Sequence, residues 1–160
     1  MKAQTPDIVR RVHHLLTEKG ATVSVAESCT GGLLSNLLTS LPGSSNFFEA
    51  GIVSYSERSK ERILGVPPKI ISDNGMVSEE TAKAMAEKVR ALTMTDFAIA
   101  TTGNLGPGVL EGKAMGLVYI AVSGNRGTFA RELRLNADRE ANREAAALGS
   151  LELLMEVAGP

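Results

Sequence analysis

The chain has 160 residues, 43% of them hydrophobic and 22% charged, with a formal net charge of -1. That length and usage fit a single folded domain over residues 1–160 and exclude disordered, collagen-like and coiled-coil classes. The near-zero charge removes any global electrostatic pull onto nucleic acid or an anionic membrane, and aromatics at 4% leave little for stacking on bases.

The opening "MKAQTPDIVRRVHH" has no apolar core of a secretory leader, and no apolar run reaches the ~20 residues that cross a bilayer. The cytoplasm is therefore the expected location. Residues 7–19 place Ile8, Val9, Val12, Leu15 and Leu16 on one stripe between Pro6 and Gly20, which predicts a surface helix. His13 and His14 fall in it beside Arg10 and Arg11, on what reads as a solvated face. "TVSVA" at 22–26 is short and β-branched and predicts a strand, and "GGLLSNLLTSL" predicts a helix ending at Pro42 and Gly43.

"FFEAGIVSY" predicts a second strand region, and "SERSKERILG" a helix with Ser56 as N-cap and Gly65 past its end. "VPPKIISDNGM" reads as a loop from its Pro pair and Asp-Asn-Gly turn chemistry. "SEETAKAMAEKVRAL" follows as a helix capped by Ser78, with Ala82, Met85, Ala86, Val89 and Leu92 on its inner face. "DFAIATT" predicts a buried strand leading into "TTGNLGPG", and "LVYIAVSG" and "TFARELRL" predict an antiparallel pair across the "GNRG" turn. From Asp138 a long helix closes the chain. Strands alternating with helices predict an α/β protein, three layers α/β/α about a mixed, mostly parallel sheet.

Ligands of such sheets gather beyond the carboxyl ends of the strands, which singles out "ESCTGG", "YSERSK" and "TTGNLGPG". In the first, Ser28 leaves a strand end, and Gly31 and Gly32 allow close backbone approach; a hydroxyl beside fixed N–H groups suits acyl transfer. Capping of the helix by Ser28 or Thr30 is the plainer alternative. Cys29, the single cysteine, is a rival nucleophile or a small packed side chain; it has no partner for an intramolecular disulfide and excludes a cysteine-based zinc site. In the second loop Tyr55 ends a strand and Lys60 lies one turn into a helix. A lysine serves as base when its surroundings keep the amine neutral, and is otherwise an ordinary solvated residue. The third loop has the amide-rich look of an anion cradle or a tight structural loop, but matches neither well-known glycine fingerprint for ATP or dinucleotides.

Taken together, "VAESCTGGLLSNLLTSLPGSSNFFEAGIVSYSERSKERILGV", "GMVSEETAKAMAEKVR", "TTGNLGPG" and "ADREANREAAALGSLELL" resemble the CinA C-terminal domain family, whose stand-alone members are nicotinamide-nucleotide amidases. The resemblance implies hydrolysis of nicotinamide mononucleotide to nicotinic acid mononucleotide and ammonia, with no metal or other cofactor. It implies Ser28 as nucleophile, Lys60 as its base, and Tyr55 relaying a proton or orienting the lysine. It further implies a site lined by Thr30, Gly31, Gly32, Thr102, Gly103 and Gly106, with Arg139 or Arg143 meeting phosphate. A homo-oligomer is implied too, with apolar residues near "NFFEAG" as the candidate contact. Similar proteins read Thr-Gly-Ile-Ala-Gly-Pro-Gly-Gly in the third loop, where this chain has Asn104, Leu105 and Val109. Added bulk at Leu105 and the loss of a glycine at Val109 predict a reshaped pocket. A non-catalytic member that binds a nucleotide or phosphate ligand is the alternative reading.

Overall fold

A computed structural model describes residues 5–160. Helix α1 (Asp7–Lys19) buries Val9, Val12 and Leu16 and ends at Gly20, whose φ of 60° is the left-handed cap that glycine allows. Strand β1 (Val23–Glu27) is buried along its whole length. Helix α2 (Leu33–Leu38) is shorter than its sequence pattern predicts. The hydroxyls of Thr39 and Ser40 donate to the carbonyls of Ser35 and Leu37 at 2.8 and 2.7 Å, and Pro42 disfavours helical backbone before it, so the chain turns out early.

Strand β2 (Phe48–Val53) follows, then α3 (Glu57–Ser59), with Ser56 and Ser59 forming a reciprocal capping box. At Lys60 the turn widens into a π-helical segment, Lys60–Leu64, closed by Gly65. The stretch expected to be a loop instead forms α4 (Pro68–Asn74). Proline at a first helical position lacks only an N–H the helix leaves unpaired anyway, and burial of Ile71 holds the turns down. Helix α5 (Glu79–Thr93) is capped by Ser78, which accepts from the Thr81 amide at 3.1 Å. Its inner stripe continues from Val89 to Thr93, whose hydroxyl donates to Ser24 Oγ, and this leaves Leu92 exposed rather than inside.

Strands β3 (Phe97–Gly103), β4 (Leu117–Gly124) and β5 (Gly127–Arg134) precede α6 (Arg139–Ala158), which Asp138 caps. The sheet order is β2-β1-β3-β4-β5. Pairings of β1 with β2 and β3 are parallel, and those of β4 with β3 and β5 antiparallel. The sheet is mixed as expected. It is mostly parallel in strand direction, since β4 alone runs backwards, but that one reversal makes half of its pairings antiparallel.

The two faces of the sheet carry different side chains. Val23, Val25, Ile99, Val118, Ile120 and Val122 face α1, α2 and α6 in one apolar cluster. Ala26, Ala98, Ala100 and Ala121 face α4 and α5 in the other, against Ala82, Met85, Ala86 and Val89. Residues of a strand point alternately to opposite faces, so alternating large and alanine positions give a deep layer and a close-packed one. Two expectations fail here. Phe47 of "NFFEAG" is buried in the first cluster, and His13 is half-buried, set edge-on against Phe47 and 2.9 Å from the Pro42 carbonyl. Among the described residues, no helix is long and apolar enough to cross a membrane.

Candidate active site

β1 lies between β2 and β3, so the chain leaves all three strands at one edge, with the β1 exit in the middle. Strand alternation then divides the labour. Glu27 and Thr101, in step with Val25 and Ile99, point toward α2, whereas Ser28 and Thr102 turn to the opposite side and line a cavity.

Glu27 is fully buried and organises the turn after β1. Its Oε1 accepts from Thr30 Oγ1 at 2.6 Å and from the amides of Gly32 and Leu34 at 3.3 and 2.8 Å. Its Oε2 accepts from the amide and hydroxyl of Ser35 at 3.0 and 2.7 Å. The carboxylate thus satisfies the free amides of α2, a task the sequence reading gave to Ser28 or Thr30. Gly31 and Gly32 have φ of 59° and 105°, and the Gly31 amide donates to the Ser28 carbonyl at 3.1 Å. Glycine is needed here to make the turn, and neither residue lines the cavity.

Freed from capping, the Ser28 hydroxyl meets Lys60. Nζ of Lys60 stands 2.7 Å from Ser28 Oγ and donates to the carbonyls of Ser54 and Tyr55 at 2.8 and 3.1 Å. Lys60 is only 1% exposed. Burial pushes its ammonium down from 10.5 to about 8, against the opposing pull of the Glu111 carboxylate. Burial also drives the Cys29 thiol up to about 12. The thiol therefore stays protonated while Lys60 titrates and supplies no charge to hold the ammonium. Cys29 is a packed, unionised wall residue, as the second reading of its position held.

A cavity of about 180 Å³ opens beside this pair, lined by Ser28, Cys29, Tyr55, Lys60, Met76, Val77, Thr102, Gly103 and Leu110. Thr102 Oγ1 donates to the Met76 carbonyl at 2.7 Å. The Tyr55 carbonyl holds the lysine, but its phenol points away, 58% exposed, and accepts from Arg139 at 3.1 Å. Arg139 also donates to the Gly106 carbonyl at 2.6 Å, so Gly106 and Arg139 stand at the mouth. Arg143 is exposed one helical turn further on, and Thr30 is enclosed between Glu27 and Thr101. Among the described residues, no group of three or more His, Cys, Asp or Glu side chains is gathered to hold a metal ion.

The third loop departs from expectation. Leu105 packs into the core beneath α6 instead of filling the cavity, and positive φ falls on Gly106, Gly112 and Gly116 and, outside glycine, on Glu111 at 55°, not on Val109. Asn104 accepts from the Gly106 amide at 3.0 Å and donates to the Gly108 carbonyl at 2.7 Å, which folds the loop on itself. Sequence reading missed Glu27, although its place in step with Val23 and Val25 was a usable signal. It also missed Glu111 and Lys113, for which the sequence carries none.

This fold and this pair define an α/β domain with a buried serine–lysine couple at the central strand end. The chain belongs to the CinA C-terminal domain family, which matches residues 6–158. A CinA-like protein of Syntrophus aciditrophicus is 46% identical over 142 residues, covering 88% of this chain and 34% of that protein. The chain thus spans about a third of the length of the curated relatives it matches. Among solved structures, the competence/damage inducible protein CihA from Agrobacterium tumefaciens is 34% identical with a TM-score of 0.92, covering 97% of this chain and 98% of that one. A competence or damage-inducible protein from Enterobacter asburiae is 31% identical with a TM-score of 0.93, covering 99% and 100%.

Proposed function

We propose that the chain is an amidohydrolase that converts nicotinamide mononucleotide to nicotinic acid mononucleotide and ammonia. The observation that carries the chemistry is the 2.7 Å approach of Lys60 Nζ to Ser28 Oγ, with two backbone carbonyls on the same nitrogen. A neutral amine has two N–H donors and one lone pair. The carbonyls of Ser54 and Tyr55 take both donors, and the lone pair is left facing the serine. The substrate is suggested by the family resemblance.

In this reading Ser28 Oγ attacks the carboxamide carbon as its proton passes to Lys60. Backbone amides of the turn that follows β1, beside Ser28, donate to the oxyanion. Lys60 then gives its proton to the departing nitrogen, the C–N bond breaks, and ammonia leaves an ester on Ser28. Water, deprotonated by Lys60, cleaves that ester to the acid and restores the serine. Arg139 and Arg143 stand where a phosphate outside the cavity would find positive charge.

Ammonia release from nicotinamide mononucleotide tests the reading. Ser28→Ala and Lys60→Ala are each expected to lower kcat/KM on the order of 10³-fold or more. Unimpaired turnover in either variant removes that residue from the mechanism. Binding without any turnover in the wild type points to the ligand-binding alternative.

A further inference from the structure

Two lining residues of the cavity also face solvent: Tyr55 and Leu110, the latter 39% exposed. The opening therefore lies between them. Leu110 is carried by residues 107–115, a strap between β3 and β4, and its place is fixed from the far side. The two oxygens of Glu111 accept from the amides of Met76 and Val77 at 2.8 and 2.9 Å. Lys113 donates to the carbonyls of Asn74, at 3.0 Å, and Val77, and lies 3.7 Å from Glu111. The Lys113 amide donates to the Leu110 carbonyl at 2.9 Å, closing a small loop with Leu110 at its inner corner. Burial pushes the Glu111 carboxyl up, but the Val77 and Met76 amides and Lys113 outweigh it and hold it below its ordinary value. Glu111 therefore holds its place in the clamp as a carboxylate.

The volume enclosed decides what fits. About 180 Å³ is below the ~300 Å³ at which pockets for drug-sized ligands begin. It slightly exceeds the ~150 Å³ known to hold one benzene ring. A single aromatic ring with its carboxamide matches that volume, and the apolar side chain that stands between it and solvent on the strap side is Leu110. We propose that Leu110 is the specificity-determining residue of this site, limiting the acyl group to one six-membered ring, and that Glu111 and Lys113 are the residues that position it. Anything attached to that ring leaves between Tyr55 and Leu110, toward Arg139. The proposal rests on the amidase reading for the reaction it serves, but its test needs no turnover.

Isothermal titration calorimetry of the full chain with nicotinamide or quinoline-3-carboxamide measures the preference directly, and circular dichroism confirms that each variant is folded. The wild type is expected to bind nicotinamide about tenfold or more tightly than the two-ring probe. In Leu110→Ala the two affinities are expected to come within about threefold of each other. In Glu111→Gln discrimination between the probes falls in the same direction. Equal affinity of the wild type for both probes overturns the proposal. So does unchanged selectivity in Leu110→Ala, or no binding of either probe to the wild type. Unchanged selectivity in Glu111→Gln removes the clamp. Absence of ammonia release with binding and selectivity intact counts against the amidase reading alone.

Discussion

Raising the pH from 7.5 to 10.5 is expected to stabilise the wild type relative to Lys60→Met. The folded-state value of about 8 lies below the 10.5 of a free lysine. Below pH 8 both folded and unfolded chains hold the proton, and the native state bears the full cost of an ammonium in a dry setting. Between 8 and 10.5 the unfolded chain keeps a proton that the native state has released, so stability climbs with pH. Above 10.5 both are neutral and the cost has gone. At 1.36 kcal/mol per pH unit, the gap amounts to about 3 kcal/mol, or roughly 6–12 °C in Tm for a chain of this size. With Lys60 only 1% exposed, solvent screening takes little from that figure. Cys29 acts in the opposite sense, because a folded thiol held at about 12 against 9.0 loses stability above pH 9; it is present in both proteins and largely cancels in their difference. The assay is urea denaturation of both proteins at half-unit pH steps, followed by circular dichroism. A difference that stays flat within about 0.5 kcal/mol would refute the claim that burial has depressed this lysine. The same ionisation should appear in function, with kcat/KM rising through an apparent pKa of about 8 as the amine becomes a base.

Three further outcomes follow from the same geometry. Glu27→Gln turns an acceptor into an N–H group among amide and hydroxyl donors, and about 2–4 kcal/mol should be lost; an unchanged urea midpoint would show that the turn does not depend on this carboxylate. Gly103→Ala places its Cβ 2.6 Å from Val118 Cγ2 and 2.8 Å from Val118 Cα, where a backbone cannot give way, so about 1–3 kcal/mol should go, and an equal midpoint in urea argues against that contact. Tyr55→Phe removes only the bond to Arg139 and should lower kcat less than about tenfold without moving the pH profile. A fall as deep as that of Ser28→Ala would restore the phenol to proton transfer.

Much of the fold is legible because local signals agree. Ser56, Ser78 and Asp138 each cap the helix their sequence context predicts, and the paired strands about "GNRG" follow alternation and turn chemistry. α4 was hidden because proline at a helix start looks like a loop when the burial of Ile71 is unknown. The meeting of Ser28 and Lys60 depends on β2 lying beside β1, a long-range fact that no local pattern contains; the family resemblance supplied it. Glu111 is further out of reach, since it binds a turn 34 and 35 residues away across two loops.

The strap hangs from residues already paired on either side of it: Gly103 lies opposite Val118, and the Gly116 amide donates to the Asn104 carbonyl at 2.7 Å. Its interior is therefore a cassette that evolution or an engineer can lengthen, shorten or rewrite while the frame stays in register. A lineage sharing the serine–lysine couple could change its diet by editing residues 107–115 and inherit its chemistry untouched.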